Sequence, residues 1–132
     1  FERNHRARLG GLAYHFVIGN GSGSADGLVE AGFRWKDQIA GPHTKNQAAN
    51  LESIGICLVG DLQTGPPTRK QMGALLDLLE RLCRSGRIAP ERIRSHREVD
   101  PETLCPGRGL PIEEIRTALS GRLSRPLAQQ SR

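Results

Sequence analysis

The sequence contains few aromatic residues and no long hydrophobic run. Aromatic residues make up 4% of the 132 residues, with a single tryptophan and a single tyrosine. No apolar segment approaches the roughly 20 residues that span a bilayer, and none resembles the core of a signal peptide. No unit is repeated along the chain. The glycines and prolines are scattered, which argues against a fibrous or disordered protein, and the length predicts a single domain.

The basic charge is concentrated near the C-terminus. The formal net charge is +5, and the segment after Glu114 contains four arginines and no acidic residue. A nucleic-acid-binding domain usually carries its basic residues on a folded surface beside stacking aromatics. We therefore expect no nucleic-acid partner. We interpret residues 120–132 as a basic, flexible and solvated tail that follows a domain of residues 1–119.

The three cysteines cannot all pair within one monomer. Cys83 falls on the apolar face of a predicted helix, where a small buried residue is expected. Cys57 lies in a predicted strand, where burial is again the simplest role, although a strand residue can line the floor of a site. Cys105 follows His96 by nine residues, in a predicted turn before Pro106. Proline favours an extended backbone at the residue before it.

Apolar periodicity predicts an α/β fold. Residues 1–9 are predicted to end a polar helix, and residues 12–18 and 28–31 to form a hairpin with a long, flexible loop. Further predictions are an irregular connection at 32–52, a central strand with both faces covered at 54–59, and a short strand at 92–96.

Two amphipathic helices are predicted in the second half of the chain. The first begins after Thr68, with Gln71 completing a capping box, and ends at Gly86. The second carries Ile112, Ile115 and Leu119 on one face.

His96 and Cys105 are candidate zinc ligands, because imidazole and thiolate suit a tetrahedral zinc site. Spacing alone makes this a weak signal, since such pairs are common in loops. A catalytic zinc normally has three protein ligands. His15 is a doubtful third, because side chains alternate along a strand and His15 would face away from Tyr14.

Five stretches occur in one order along the chain: residues 12–18, 41–43, 50–61, Pro67-Thr68 with Gln71, and 96–107. Together they resemble the type 2 N-acetylmuramoyl-L-alanine amidases, a superfamily that includes phage lysozyme-type amidases and animal peptidoglycan recognition proteins. The resemblance implies a central mixed β-sheet flanked by helices and a groove floored by zinc. It also implies hydrolysis of the amide between the muramic acid lactyl group and L-alanine of the stem peptide.

The resemblance assigns roles to individual residues. It implies that His96 and Cys105 are zinc ligands and that Tyr14 and Thr103 are catalytic. Without it, the simplest role of Tyr14 is a core residue with a satisfied hydroxyl. Cys57 occupies a position where one branch of the superfamily has a catalytic glutamate, so this chain resembles the tyrosine/threonine branch more.

Three residues are candidates for substrate binding: His43, Trp35 and Arg97. An aromatic anchor in the core is an equally good interpretation of Trp35. Arginine can bind stem-peptide carboxylates through paired hydrogen bonds, but a solvated surface residue is the simpler interpretation of Arg97.

The sequence departs from the family pattern at two points. The first zinc-ligand histidine of the family lies on a strand upstream of the helix that residues 1–9 would end. The resemblance therefore implies that this strand and ligand precede Phe1, whose place at the start indicates a removed leader or a fragment. The segment from His96 to Cys105 is also one residue longer, with Glu102 as the extra residue.

Two functions remain open from the sequence. One is a zinc-dependent amidase, and the other is a non-catalytic module of the same fold that binds muropeptides. Both imply a peptidoglycan partner and an extracellular or cell-envelope location. We expect a monomer with no membrane-spanning segment.

Overall fold

The computed structural model describes residues 14–41, 45 and 53–125. In chain order the elements are β1 (Phe16–Ile18), β2 (Val29–Ala31), α1 (Phe33–Lys36), β3 (Ile56–Leu58), α2 (Arg69–Gly86), a 3₁₀ helix (Pro90–Arg92), α3 (His96–Val99) and α4 (Ile112–Leu123). The predicted α/β class with a mixed sheet and flanking helices is confirmed. The helix predicted at residues 1–9 lies outside the described residues.

The described sheet has three strands in the order β2-β1-β3. β1 is antiparallel to β2, with Phe16 opposite Ala31, which confirms the predicted hairpin. β1 is parallel to β3, with Val17 opposite Cys57. Within this described sheet β1 is the middle strand, so the prediction that β3 is central is wrong. An apolar run indicates that both faces of a strand are covered, but it does not say how many strands pair with its edges.

Helices α2 and α4 pack on the sheet to form the core. The buried cluster consists of Ile18, Leu75, Leu79, Cys83, Ile115 and Leu119. Cys83 is 4% exposed, which confirms its prediction as a small core residue. The two helical apolar faces read from the sequence are therefore the faces that pack.

Both ends of α2 follow from local sequence. The Thr68 hydroxyl accepts from the Gln71 backbone N–H at 3.0 Å, and the Gln71 side chain accepts from the Thr68 N–H, which completes the predicted capping box. After Gly86 the chain turns at Arg87, whose φ of 51° is left-handed. The Arg87 N–H donates to the Cys83 carbonyl and ends the helix.

Gln71 also ties α2 to the sheet. Its side chain is 1% exposed, and Nε2 donates to the carbonyls of Ile18 at 3.1 Å and Val59 at 2.8 Å. These carbonyls lie at the ends of β1 and β3, so one amide joins α2 to both strands. The sequence predicted only the capping role.

The prediction of a strand at residues 92–96 is wrong. Pro90–Arg92 forms a 3₁₀ helix, and α3 begins at His96. Ser95 accepts from the Glu98 N–H and the Glu98 side chain accepts from the Ser95 N–H, so this stretch is a capping box. The Ser-x-x-Glu pattern, which specifies a helix start, outweighs the single β-branched Ile93. The prediction of an irregular connection at residues 32–52 is also wrong in part, because helix α1 lies within this range.

The arginines after Glu114 do not all belong to a solvated tail. Helix α4 extends to Leu123, beyond the predicted boundary at residue 119. Arg122 pairs with Asp77 at 2.7 Å on α2. Arg116 binds Glu98 and Glu113, and its side chain is 16% exposed. Solvation is therefore the wrong interpretation of Arg122, while residues 126–132 lie outside the described part.

Candidate functional site

A cavity of about 410 Å³ lies beside helix α3 and the loop that follows it. Its lining consists of Lys45, His96, Asp100, Glu102, Thr103, Leu104 and Cys105. The structure thus places His96, Thr103 and Cys105, which were selected from one stretch of the sequence, around one cavity.

The backbone of His96 is held from two sides. His96 is the first residue of α3, which the Ser95–Glu98 capping box starts. Glu98 also pairs with Arg116 on α4, and Arg116 Nε donates to the Ile93 carbonyl at 2.9 Å. One arginine therefore fixes the chain both before and within the helix that carries His96.

The side chain of His96 contacts Asp100 one turn along. Its Nε2 lies 2.9 Å from Asp100 Oδ2, and the same oxygen accepts from the Lys45 backbone N–H at 2.7 Å. The hydrogen bond from Lys45, reinforced by His96, lowers the pKa of Asp100 below its ordinary value. The sequence interpretation missed Asp100, although its i,i+4 spacing from a histidine was a usable signal.

Thr103 and Cys105 are joined within the loop after α3. The Thr103 N–H donates to the Asp100 carbonyl at 3.1 Å, and the Cys105 N–H donates to Thr103 Oγ1 at 3.2 Å. Partial burial raises the pKa of the Cys105 thiol. A metal ligand must be a thiolate, so a cation at this place would have to displace the proton.

Close packing against a second loop holds the Cys105 loop. The Gly109 N–H donates to the Leu62 carbonyl at 2.6 Å, and the Arg108 N–H donates to Gln63 Oε1 at 2.6 Å. Gly107 has φ of +101°, and a Cβ there would lie 2.6 Å from the Gln63 nitrogen. Glycine is therefore required at this position by both conformation and space.

Tyr14 and Cys57 lie near Cys105. Burial raises the pKa of Tyr14 to about 12, and the Cys57 and Cys105 thiols add to the shift. Burial, with a contribution from Cys105, also raises the pKa of Cys57 to about 12. The Tyr14 phenol therefore keeps its proton at neutral pH and can donate a hydrogen bond.

His15 is a structural residue. It is 5% exposed, its Nε2 lies 2.9 Å from the Ile39 carbonyl oxygen, and its Nδ1 accepts from the Gly55 N–H at 3.0 Å. Because both ring nitrogens are occupied, His15 does not supply a third zinc ligand.

The substrate-binding candidates lie in different settings. Trp35 on α1 packs against Phe16, with ring centroids 4.9 Å apart, a contact that fits the alternative anchoring role. Arg97 is exposed on α3, directly after His96. His43 lies outside the described residues.

Two of the side chains that line the cavity, His96 and Cys105, carry donor atoms that suit zinc. An imidazole and a thiol are ligands that zinc prefers. Within residues 14–41, 45 and 53–125, no group of three or more His, Cys, Asp or Glu side chains is arranged to hold a metal ion. These ranges therefore supply a pair of donors and not a complete catalytic set.

Comparison with known proteins defines the family. A family model described as N-acetylmuramoyl-L-alanine amidase matches residues 1–108, and the chain belongs to that family. This confirms the resemblance drawn from the five sequence stretches.

In the described part of the chain, no helix has the length and apolar character needed to cross a bilayer.

Individual relatives include both recognition proteins and an amidase. The chain is 36% identical over 107 residues to peptidoglycan-recognition protein SC2 of Drosophila melanogaster, covering 80% of this chain and 52% of that protein. It is 35% identical over 109 residues to peptidoglycan recognition protein 1 of Mus musculus, covering 80% of this chain and 55% of that protein. The chain thus spans about half the length of these curated relatives. The solved N-acetylmuramoyl-L-alanine amidase LysC from Clostridium intestinale URNW superposes with a TM-score of 0.72 at 27% identity, covering 90% of this chain and 72% of that one.

Proposed function

We propose that this chain hydrolyses the amide bond between N-acetylmuramic acid and L-alanine in peptidoglycan, with zinc as its cofactor. The observation that carries the proposal is the single cavity lined by His96, Thr103 and Cys105 in a member of the amidase family. His96 and Cys105 would hold the zinc ion. When bound, zinc polarises a carbonyl and lowers the pKa of a coordinated water to about 7.

Tyr14 is proposed to stabilise the reacting carbonyl. As the amide is attacked, its carbonyl oxygen acquires negative charge and needs a hydrogen-bond donor. The Tyr14 phenol, with its pKa raised to about 12, stays protonated to serve as that donor. Losing one such donor typically costs about 3 kcal/mol of transition-state stabilisation.

Thr103 is proposed to orient the attacking water or the same oxygen. Its Oγ1 accepts a hydrogen bond from the Cys105 N–H, which fixes the position of the hydroxyl. The hydroxyl proton is still available for donation, because a threonine hydroxyl can donate and accept together.

The proposed substrate-binding residues are His43, Trp35 and Arg97. Arg97 adjoins His96 and is exposed, so its guanidinium can pair with a stem-peptide carboxylate. Trp35 would have to expose one ring face to the glycopeptide while it packs on Phe16.

A second candidate function is peptidoglycan binding without cleavage. Two observations favour it: the described residues supply only a pair of zinc donors, and two relatives are named peptidoglycan recognition proteins. In that case the cavity would hold a muropeptide and its amide would stay intact.

Incubation with purified peptidoglycan separates the two functions. Release of stem peptide with a free N-terminal L-alanine would be followed by mass spectrometry, and binding by cosedimentation, with zinc present and after chelation. The proposal predicts release by the wild type with zinc and none by Cys105→Ser. Binding without release would support the second function, and neither binding nor release would contradict both.

A further inference from the structure

Asp100 links the proposed zinc ligand His96 to a distant segment of the chain. Its Oδ2 lies 2.9 Å from His96 Nε2 and 2.7 Å from the Lys45 backbone nitrogen. The side chains of His96 and Asp100 are 24% and 11% exposed, so both are partly buried. Two donors on one oxygen fix the carboxylate, and the carboxylate in turn limits rotation of the imidazole.

This contact selects one tautomer of His96. An ionised carboxylate can only accept a hydrogen bond, so Nε2 must carry the proton when the imidazole is neutral. The lone pair is then on Nδ1, the nitrogen through which a neutral ring can bind a metal. In the part of the chain that the structure describes, Nδ1 has no hydrogen-bond partner.

We propose that Asp100 is a positioning residue that holds His96 as the Nε2–H tautomer, with Nδ1 presented to zinc. The inference rests on the proposed metal site and assigns Asp100 a role in it. A carboxylate on the second nitrogen of a ligating histidine fixes the ring and makes the ligand more basic. Removing such a partner typically weakens metal binding about 10- to 100-fold.

Glu102 provides a matched control. Glu102 lines the same cavity, so a change to glutamine removes one negative charge from the lining, as Asp100→Asn does. Within the described residues it makes no hydrogen bond or ion pair with His96. A general effect of negative charge on zinc affinity would therefore appear in Glu102→Gln as well as in Asp100→Asn.

The test uses the full chain in the wild type, Asp100→Ala, Asp100→Asn and Glu102→Gln. Zinc affinity is measured by competition with a chromophoric chelator. The His96 tautomer is measured in zinc-free protein from the ¹⁵N shifts of the imidazole. We expect the Nε2–H tautomer in the wild type and in Glu102→Gln, with zinc affinities within about twofold of each other. We expect a mixed tautomer population and about 10- to 100-fold weaker zinc binding in Asp100→Ala.

Asp100→Asn keeps an acceptor oxygen for Nε2 but loses the charge, so its zinc affinity should lie between those of the wild type and Asp100→Ala. Asp100→Asn still tests the proposal if Asp100→Ala does not fold. Equal zinc affinity in the aspartate and glutamate variants, or an Nδ1–H tautomer in the wild type, would overturn the proposal. A wild type that binds no zinc would overturn the metal site, and the tautomer measurement would still decide whether Asp100 orients the ring.

Discussion

The three cysteines show how environment separates residues of one type. Cys83 is a core residue between α2 and α4. Cys57 lies in β3, where burial raises its pKa to about 12. Cys105 alone lines the cavity with His96. A thiol beside an imidazole in a cavity can bind a metal, whereas a thiol packed among aliphatic side chains contributes only volume.

Substitution of two cysteines by serine should separate these roles. Cys105→Ser should abolish zinc binding with little change in stability, because a hydroxyl is a much weaker zinc ligand than a thiolate. Cys83→Ser should retain zinc affinity but lower the free energy of unfolding by about 1–3 kcal/mol, because it buries a hydroxyl in the core. Chelator competition and urea denaturation measure the two quantities. Equal zinc affinity in the wild type and Cys105→Ser would contradict the ligand assignment.

Tyr14→Phe tests the proposed hydrogen-bond donor. The phenylalanine ring fills the same volume, so fold and zinc affinity should be retained, while the rate of stem-peptide release should fall about 100-fold or more. The rate is followed at saturating zinc by quantifying free N-terminal L-alanine. If the variant hydrolyses peptidoglycan as fast as the wild type, Tyr14 has no part in the reaction.

The ends of helix α2 are set by near neighbours in sequence and were predicted well, although the equally local capping box of Ser95 and Glu98 that starts α3 was missed. Thr68 and Gln71 are three residues apart, and their capping box starts α2 where the sequence placed it. The failures at residues 92–96 and at β3 concern strands. A strand is defined by partners elsewhere in the chain, so neither its existence nor its place in a sheet follows from its own residues.

Gln71 joins α2 to the sheet, and its removal should cost more than loss of the cap. Gln71→Met keeps the side-chain length but removes the donor that serves the Ile18 and Val59 carbonyls. We expect a loss of about 3 kcal/mol in the free energy of unfolding, since both hydrogen bonds to the sheet and the one from the Thr68 N–H disappear and the Val59 carbonyl loses its side-chain partner. Thr68→Ala, which removes only the helix cap and the contact with Asp26, should cost about 1 kcal/mol. Urea denaturation of both variants gives the comparison, and equal losses would show that the amide does not join the helix to the sheet.

At the scale of the whole molecule, the family resemblance selected three residues that line one cavity, but the contacts that hold these residues in place could not be predicted. His96, Thr103 and Cys105 were selected from motifs and lie on one cavity. Their supports are contacts between segments far apart in sequence, such as Lys45 with Asp100 and Leu62 with Gly109. Backbone hydrogen bonds of this kind depend on how loops pack and carry little signature in residue type.

His15 should make the stability of the whole fold depend on pH. Burial lowers the pKa of His15 from its ordinary value of 6.5, although the hydrogen bond to the Ile39 carbonyl opposes the shift. In the unfolded chain the ring takes up a proton near pH 6.5, whereas in the folded protein it stays neutral until lower pH. Protons therefore favour the unfolded state, and stability falls as the pH drops below about 6.5.

The measurement compares urea denaturation of the wild type and His15→Gln between about pH 7.5 and 5.5, above the range in which carboxylates titrate. Glutamine does not titrate here, so the variant should be less stable than the wild type at pH 7.5, and the difference should narrow towards pH 5.5. Other titrating groups are common to both proteins and cancel in the difference. A difference that stays constant across this range would show that the neutral His15 ring, bonded to Gly55 and Ile39, is not what makes the fold sensitive to acid.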